Sequence, residues 1–143
     1  MVRHTAGMRV GVVFFADRNR QSLLALARAL GAGLESQGHQ VEVVDGTRDV
    51  NTKLTSHQYA IVGTESLSIT GKIPARVAPF LAGAGLIQGK RCYAFVAKSF
   101  LGSNRALIKL MRAMEHEGMY LKNSGVLKSP EEARAIGANL RVG

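Results

Sequence analysis

Tyr59-Ala60-Ile61-Val62-Gly63-Thr64-Glu65-Ser66-Leu67-Ser68-Ile69-Thr70-Gly71-Lys72-Ile73-Pro74 joins two kinds of sequence. Tyr59 to Gly63 is a short, continuous apolar run, the pattern of a strand covered on both faces. Thr64 to Lys72 is a long loop of small and polar residues. A helical pattern, Arg76-Val77-Ala78-Pro79-Phe80-Leu81, follows. Open α/β sheets bind their ligands in loops of this kind, at the carboxyl ends of strands.

Working outward, strand-like and helix-like segments alternate along the chain. Val10 to Phe15 is a second buried run and makes the first strand. Ser22 to Gln37 is predicted to be a helix, with Leu23, Leu26, Ala27, Leu30 and Leu34 on one face and Gly38 ending it. Val41 to Val44 is the second strand, and Asp45 to His57 a polar crossover with room for one helical turn. Ile73 to Ala82 is expected to be helical; Pro74 suits a first turn, and Pro79 implies a kink or a short helix. Arg91 to Ala97 is the fourth strand. Ser103 to Glu117 is an amphipathic helix with an apolar stripe of Leu107, Leu110, Met111 and Met114, ended by Gly118. Met119 to Leu127 contains the fifth strand. Ser129-Pro130-Glu131-Glu132 is a capping sequence with proline at the first helical position, and its helix runs to about Leu140. Five strands alternating with helices imply an α/β fold. It is expected to be a three-layer, doubly wound, five-stranded parallel sheet of order 2-1-3-4-5.

The 143 residues suit a single domain, expected over residues 8–143 behind a flexible tail at residues 1–7. Nineteen Lys and Arg against ten Asp and Glu give a net charge of +9, which favours an acidic partner or anionic ligand, or simply a solvated basic surface. Cys92 is the only cysteine, so it has no internal disulfide partner; inside an apolar run it reads as a small buried hydrophobe. No apolar stretch approaches the roughly 20 residues that span a bilayer. The run from Val10 to Ala16 makes a better strand than a signal peptide, so a cytoplasmic location is expected. His4, His39, His57 and His116 show no metal spacing, and Ser66 and Ser68 have no evident base beside them. Arg105, Lys109 and Arg112 form a basic helix face without interleaved aromatics and with Glu115 and Glu117 following, a pattern that argues for a solvated face and against nucleic acid. No catalytic or metal-binding residue is assigned.

Three segments carry a family likeness. They are Val12 to Ser22, then Gly63-Thr64 with Gly71 to Leu81, then Gly89 to Ser103. In their order and spacing the chain resembles the flavodoxin family from about Met8 to Leu140. The resemblance implies non-covalent FMN and one-electron transfer between redox partners, hence a carrier more than a stand-alone enzyme. It also implies the site. Asp17, Arg18, Asn19, Arg20, Gln21 and Ser22 would hold the phosphate. Thr64, Glu65, Ser66, Leu67, Ser68, Ile69, Thr70 and Gly71 would line the flavin, with Gly71 as the peptide that flips and Leu67 or Ile69 as apolar cover. Phe100 would stack on the ring, and Ser99, Gly102 and Lys98 would meet its polar edge. The FMN loops are degenerate: the Thr-Gly-Asn-Thr type of phosphate loop is replaced, and no aromatic lies between Glu65 and Ile73. Arg18, Arg20, Lys72 and Lys98 make the site's end of the sheet basic where family members are acidic, so the redox partner is expected to dock through an acidic surface. Two alternatives stand beside the carrier: a flavodoxin-fold binding or regulatory module that no longer holds flavin, and a small FMN-dependent reductase.

Overall fold

The structure is a computed structural model that describes residues 7–143. The expected tail lies, except for Gly7, outside the described residues. The elements run β1 (Arg9–Phe14), α1 (Arg20–Ser36), β2 (Gln40–Asp45), β3 (Tyr59–Thr64), α2 (Val77–Ala82), β4 (Arg91–Ala97), α3 (Ser103–His116), β5 (Tyr120–Leu127) and α4 (Pro130–Asn139). All strand pairs are parallel and the sheet order is β2-β1-β3-β4-β5, as the alternation of the sequence predicts.

The central strands are apolar on both faces because both faces are covered. Val10, Val12 and Phe14 pack with Leu23, Leu26, Leu30 and Leu34 of α1 and with Ala133 of α4. Val13 and Phe15 turn to the other side, into the core closed by Phe80 and Leu81 of α2 and Ala106, Leu110 and Met114 of α3. Cys92 is fully buried in that second core. Burial first, and then the charge of Glu115, pushes its thiol up to about 12, so it is an inert hydrophobe near neutral pH.

Three segments depart from the sequence reading. α1 begins at Arg20, with Asn19 and not Ser22 at its N-cap. The crossover between β2 and β3 is built from turns alone. α2 is confined to Val77–Ala82: Pro74 biases Ile73 toward an extended backbone, so the helix starts only beyond it. Pro79 is its third residue, where a missing N–H costs no helical hydrogen bond, and no kink is needed. β5 lies where the sequence places it and keeps strand geometry through Asn123, Ser124 and Gly125, with a register shift opposite Cys92 and Tyr93.

β1 and β3 are neighbours, while β2 lies on the far side of β1. The loops that leave β1 and β3 therefore start side by side at the carboxyl edge of the sheet, the switch point of a doubly wound fold.

Candidate functional site at the switch point

The loop after β1 turns the backbone N–H groups of Asp17, Arg18 and Asn19 toward one place at the start of α1. Such a run of N–H groups at a helix N-terminus favours an anion. The anion is supplied by the chain itself. Glu65, the first residue after β3, is 2% exposed. Its Oε2 accepts hydrogen bonds from the N–H of Asp17 at 2.6 Å and of Arg18 at 2.7 Å. Its Oε1 accepts from the N–H of Asn19 at 3.1 Å and from Asn19 Nδ2 at 2.9 Å. The Asn19 side chain makes no cap bond to α1, and Glu65 holds the three residues that lead into the helix.

The rest of the β3 loop is bonded to itself. Thr64 Oγ1 donates to the Phe15 carbonyl at 2.8 Å and ties the two strand ends together. Ser66 Oγ donates to the Ser68 carbonyl at 2.8 Å, and the Gly71 N–H donates to the same carbonyl at 3.0 Å. The Leu67 N–H donates to the Lys72 carbonyl at 2.7 Å. Ser68 Oγ accepts from the Lys72 N–H at 3.1 Å and shares a 2.9 Å hydrogen bond with Thr70 Oγ1. Gly71 sits at φ +81° against the first turn of α3, where a Cβ would stand 2.5 Å from the Ala106 nitrogen. A Cβ on Gly102 would stand 2.1 Å from the Ser68 carbonyl oxygen. The β3 loop and the β4 loop are thus in direct contact.

The expected phosphate-gripping residues do not converge. Arg18 lays its guanidinium on the Leu67 carbonyl at 2.9 Å. Arg20 pairs with Asp45, Nε to Oδ2 at 2.8 Å, and lies over the Phe14 ring. Gln21 and Ser22 are exposed on α1 and line a different cleft of about 390 Å³, together with Leu127, Lys128 and Pro130. Ser22 is the third residue of the helix and not its cap, and its side chain lines that other cleft. Asp17 and Asn19 reach the cradle by backbone and amide, and what they hold is Glu65.

The structure does bring Ile69 to the β4 loop. A shallow cleft of about 450 Å³ is lined by Ile69 and by Lys98 to Arg105. Phe100 is 97% exposed there, Ile69 61% and Leu101 52%. Ser99 is turned inward: its N–H donates to Ser103 Oγ at 2.8 Å, and its Oγ donates to the Leu101 carbonyl at 2.8 Å. Lys98 lines both clefts.

No protein-family model matches the chain, and no curated protein matches it. Solved structures do. A flavodoxin from the domain Archaea superposes with a TM-score of 0.69 at 20% identity, covering 92% of this chain and 95% of its own. Oxidised flavodoxin 1 from Bacillus cereus superposes with a TM-score of 0.69 at 16% identity, covering 90% and 95%. The flavodiiron protein from Giardia intestinalis gives 0.68 at 23% identity, covering 92% of this chain and 35% of its own. The chain has a flavodoxin-like fold.

That fold raises FMN as the ligand to test against the residues. The cradle before α1, where the resemblance puts the phosphate, is filled by a carboxylate that takes the N–H groups of Asp17, Arg18 and Asn19. A phosphate does not fit there beside Glu65, because two anions would compete for one small set of donors. Arg18 and Arg20 are committed elsewhere. Glu65 was visible in the sequence as a loop residue; its task was not. The signal that bears on it is an acidic residue directly after a buried strand, beside the loop of the neighbouring strand.

Proposed function

We propose that this chain is a flavodoxin-fold docking module. Its β1 and β3 loops are held by Glu65 and not by a cofactor phosphate, and its carboxyl rim binds an acidic surface of a partner protein. The observation that carries this reading is the rim around Phe100. An aromatic ring 97% exposed, flanked by Ile69 and Leu101, is apolar surface that a chain without a partner has no reason to keep in water. Lys98 and Arg105 wall the cleft, and among the described residues that line it none is acidic. An apolar centre with a cationic border suits a partner with carboxylates around an apolar anchor.

A second reading, the FMN electron carrier itself, is supported by the flavodoxin-like fold and by the cleft beside Phe100 at the switch point. It requires a flavin held by ring contacts with its phosphate outside the cradle.

A photo-crosslinking residue placed at Phe100 in the full chain would capture the partner, whose affinity is then measured with both proteins purified. Expected is an affinity that falls steeply with added salt and drops at least about tenfold in Phe100→Ala. Equal affinity for Phe100→Ala, or indifference to salt, would remove the rim from the interface.

A further inference from the structure

We infer that Glu65 is a built-in replacement for a bound phosphate, so that the α1 cradle is closed to phosphorylated ligands and its loops are ordered without one. The inference rests on the Glu65-held loops of the function proposed above and deepens that reading, and it is independent of the docking rim.

The geometry is that of an anion site already in use. Three successive N–H groups and one amide converge on two carboxylate oxygens, at 2.6 to 3.1 Å. The carboxylate is almost wholly shielded from water. A helix start with free N–H groups would bind a passing phosphate by the same donors. Here Glu65 arrives from the adjacent strand, whose end is fixed by the Thr64 hydroxyl on Phe15. Its backbone is therefore delivered to the cradle by the sheet itself. Beyond it, the contact between Ser68 and Gly102 and the Arg18 bond to Leu67 close the loop over the same ground.

Two consequences follow from charge and from hydrogen-bond supply. With Glu65 in place, a phosphate at the cradle finds negative charge and the N–H groups of Asp17, Arg18 and Asn19 already taken. With Glu65 shortened to a methyl group, the donors are left without an acceptor, and an oxyanion from solution can take them.

The test is thermal unfolding of the full chain and of Glu65→Ala, with inorganic phosphate at about 10 mM against chloride of matched ionic strength. Expected is a wild type indifferent to phosphate, and a variant of lowered Tm that phosphate raises by about 3 °C or more while chloride does not. A wild type stabilised by phosphate as much as the variant, or a folded variant indifferent to it, would overturn the inference. Should Glu65→Ala not fold, amide hydrogen exchange of the wild type decides. Slow exchange at Asp17, Arg18 and Asn19 without ligand, unchanged by phosphate, supports a cradle filled from within. Fast exchange there, slowed by phosphate, refutes it. Phe100→Ala should keep the wild-type indifference to phosphate, which separates a failure of the cradle from a failure of the docking rim.

Discussion

At Glu65 a single buried carboxylate accepts from three successive N–H groups of an otherwise exposed loop. Glu65→Ala is expected to lower the unfolding free energy by about 2 kcal/mol, since several charge-assisted hydrogen bonds are lost together while the exposed loop donors regain water. Glu65→Gln should cost less, because it keeps one acceptor oxygen but turns an NH₂ toward N–H groups. Urea denaturation measures both, and two variants within about 0.5 kcal/mol of wild type would show that the cradle does not depend on this side chain. At Gly71 the backbone is left-handed and the Cβ direction points into α3. Gly71→Ala should cost about 2 kcal/mol or more by the same measurement, because conformational strain and a backbone clash act together. The reason Glu65's role is hard to read in sequence is plain at this scale. Its partners are main-chain N–H groups, which every residue carries, so nothing in the letters Asp17, Arg18 and Asn19 marks them as donors. Guanidinium groups are visible in sequence, and Arg18 and Arg20 drew the phosphate assignment; the structure spends them on Leu67 and Asp45.

Among the elements, α4 was the most legible. Ser129 Oγ accepts from the Glu132 N–H at 3.2 Å, and Glu132 Oε1 reaches back to the Lys128 N–H at 2.6 Å. Local chemistry within four residues settles such a start, and Ser129→Ala should cost about 1 kcal/mol. The strands were legible for a similar reason: continuous apolar runs occur where helices cover both sides of a sheet. α2 was not, since its start depends on how the β3 loop ends, and that loop is shaped by contacts with α3. The α1–α4 contact was also hidden. A Cβ on Gly33 would stand 2.2 Å from the Arg134 carbonyl oxygen, and one on Gly137 would stand 2.2 Å from the Leu30 carbonyl oxygen. Helix propensity alone ranks Gly33→Ala as stabilising by up to about 1 kcal/mol. The close approach reverses the sign, and a loss of about 2 kcal/mol in urea unfolding is expected.

Across the whole molecule, two buried weak acids, the Cys92 thiol and the Tyr93 hydroxyl, set the response to alkaline pH. Burial, and secondarily Glu115, raises Cys92 from its ordinary 9.0 to about 12. Burial, and secondarily Glu132, raises Tyr93 from 10.0 to about 12. Below the unfolded value each group is protonated in both states and has no effect on the balance. Above it only the unfolded chain gives up the proton, so stability is lost progressively as pH rises from about 9 toward 12. Urea midpoints at about pH 8 and about pH 10.5 should therefore fall further for wild type than for Cys92→Ala; equal falls would contradict a buried neutral thiol. No helix among the described residues is long and apolar enough to cross a membrane. The fold was readable from the order of its segments, whereas the character of the site was decided by one side chain crossing between two loops. Fluorescence titration of FMN with the purified full chain tests that crossing most directly. FMN left unquenched up to about 100 μM protein is the expected result, and a dissociation constant below about 1 μM would contradict a phosphate cradle filled by Glu65.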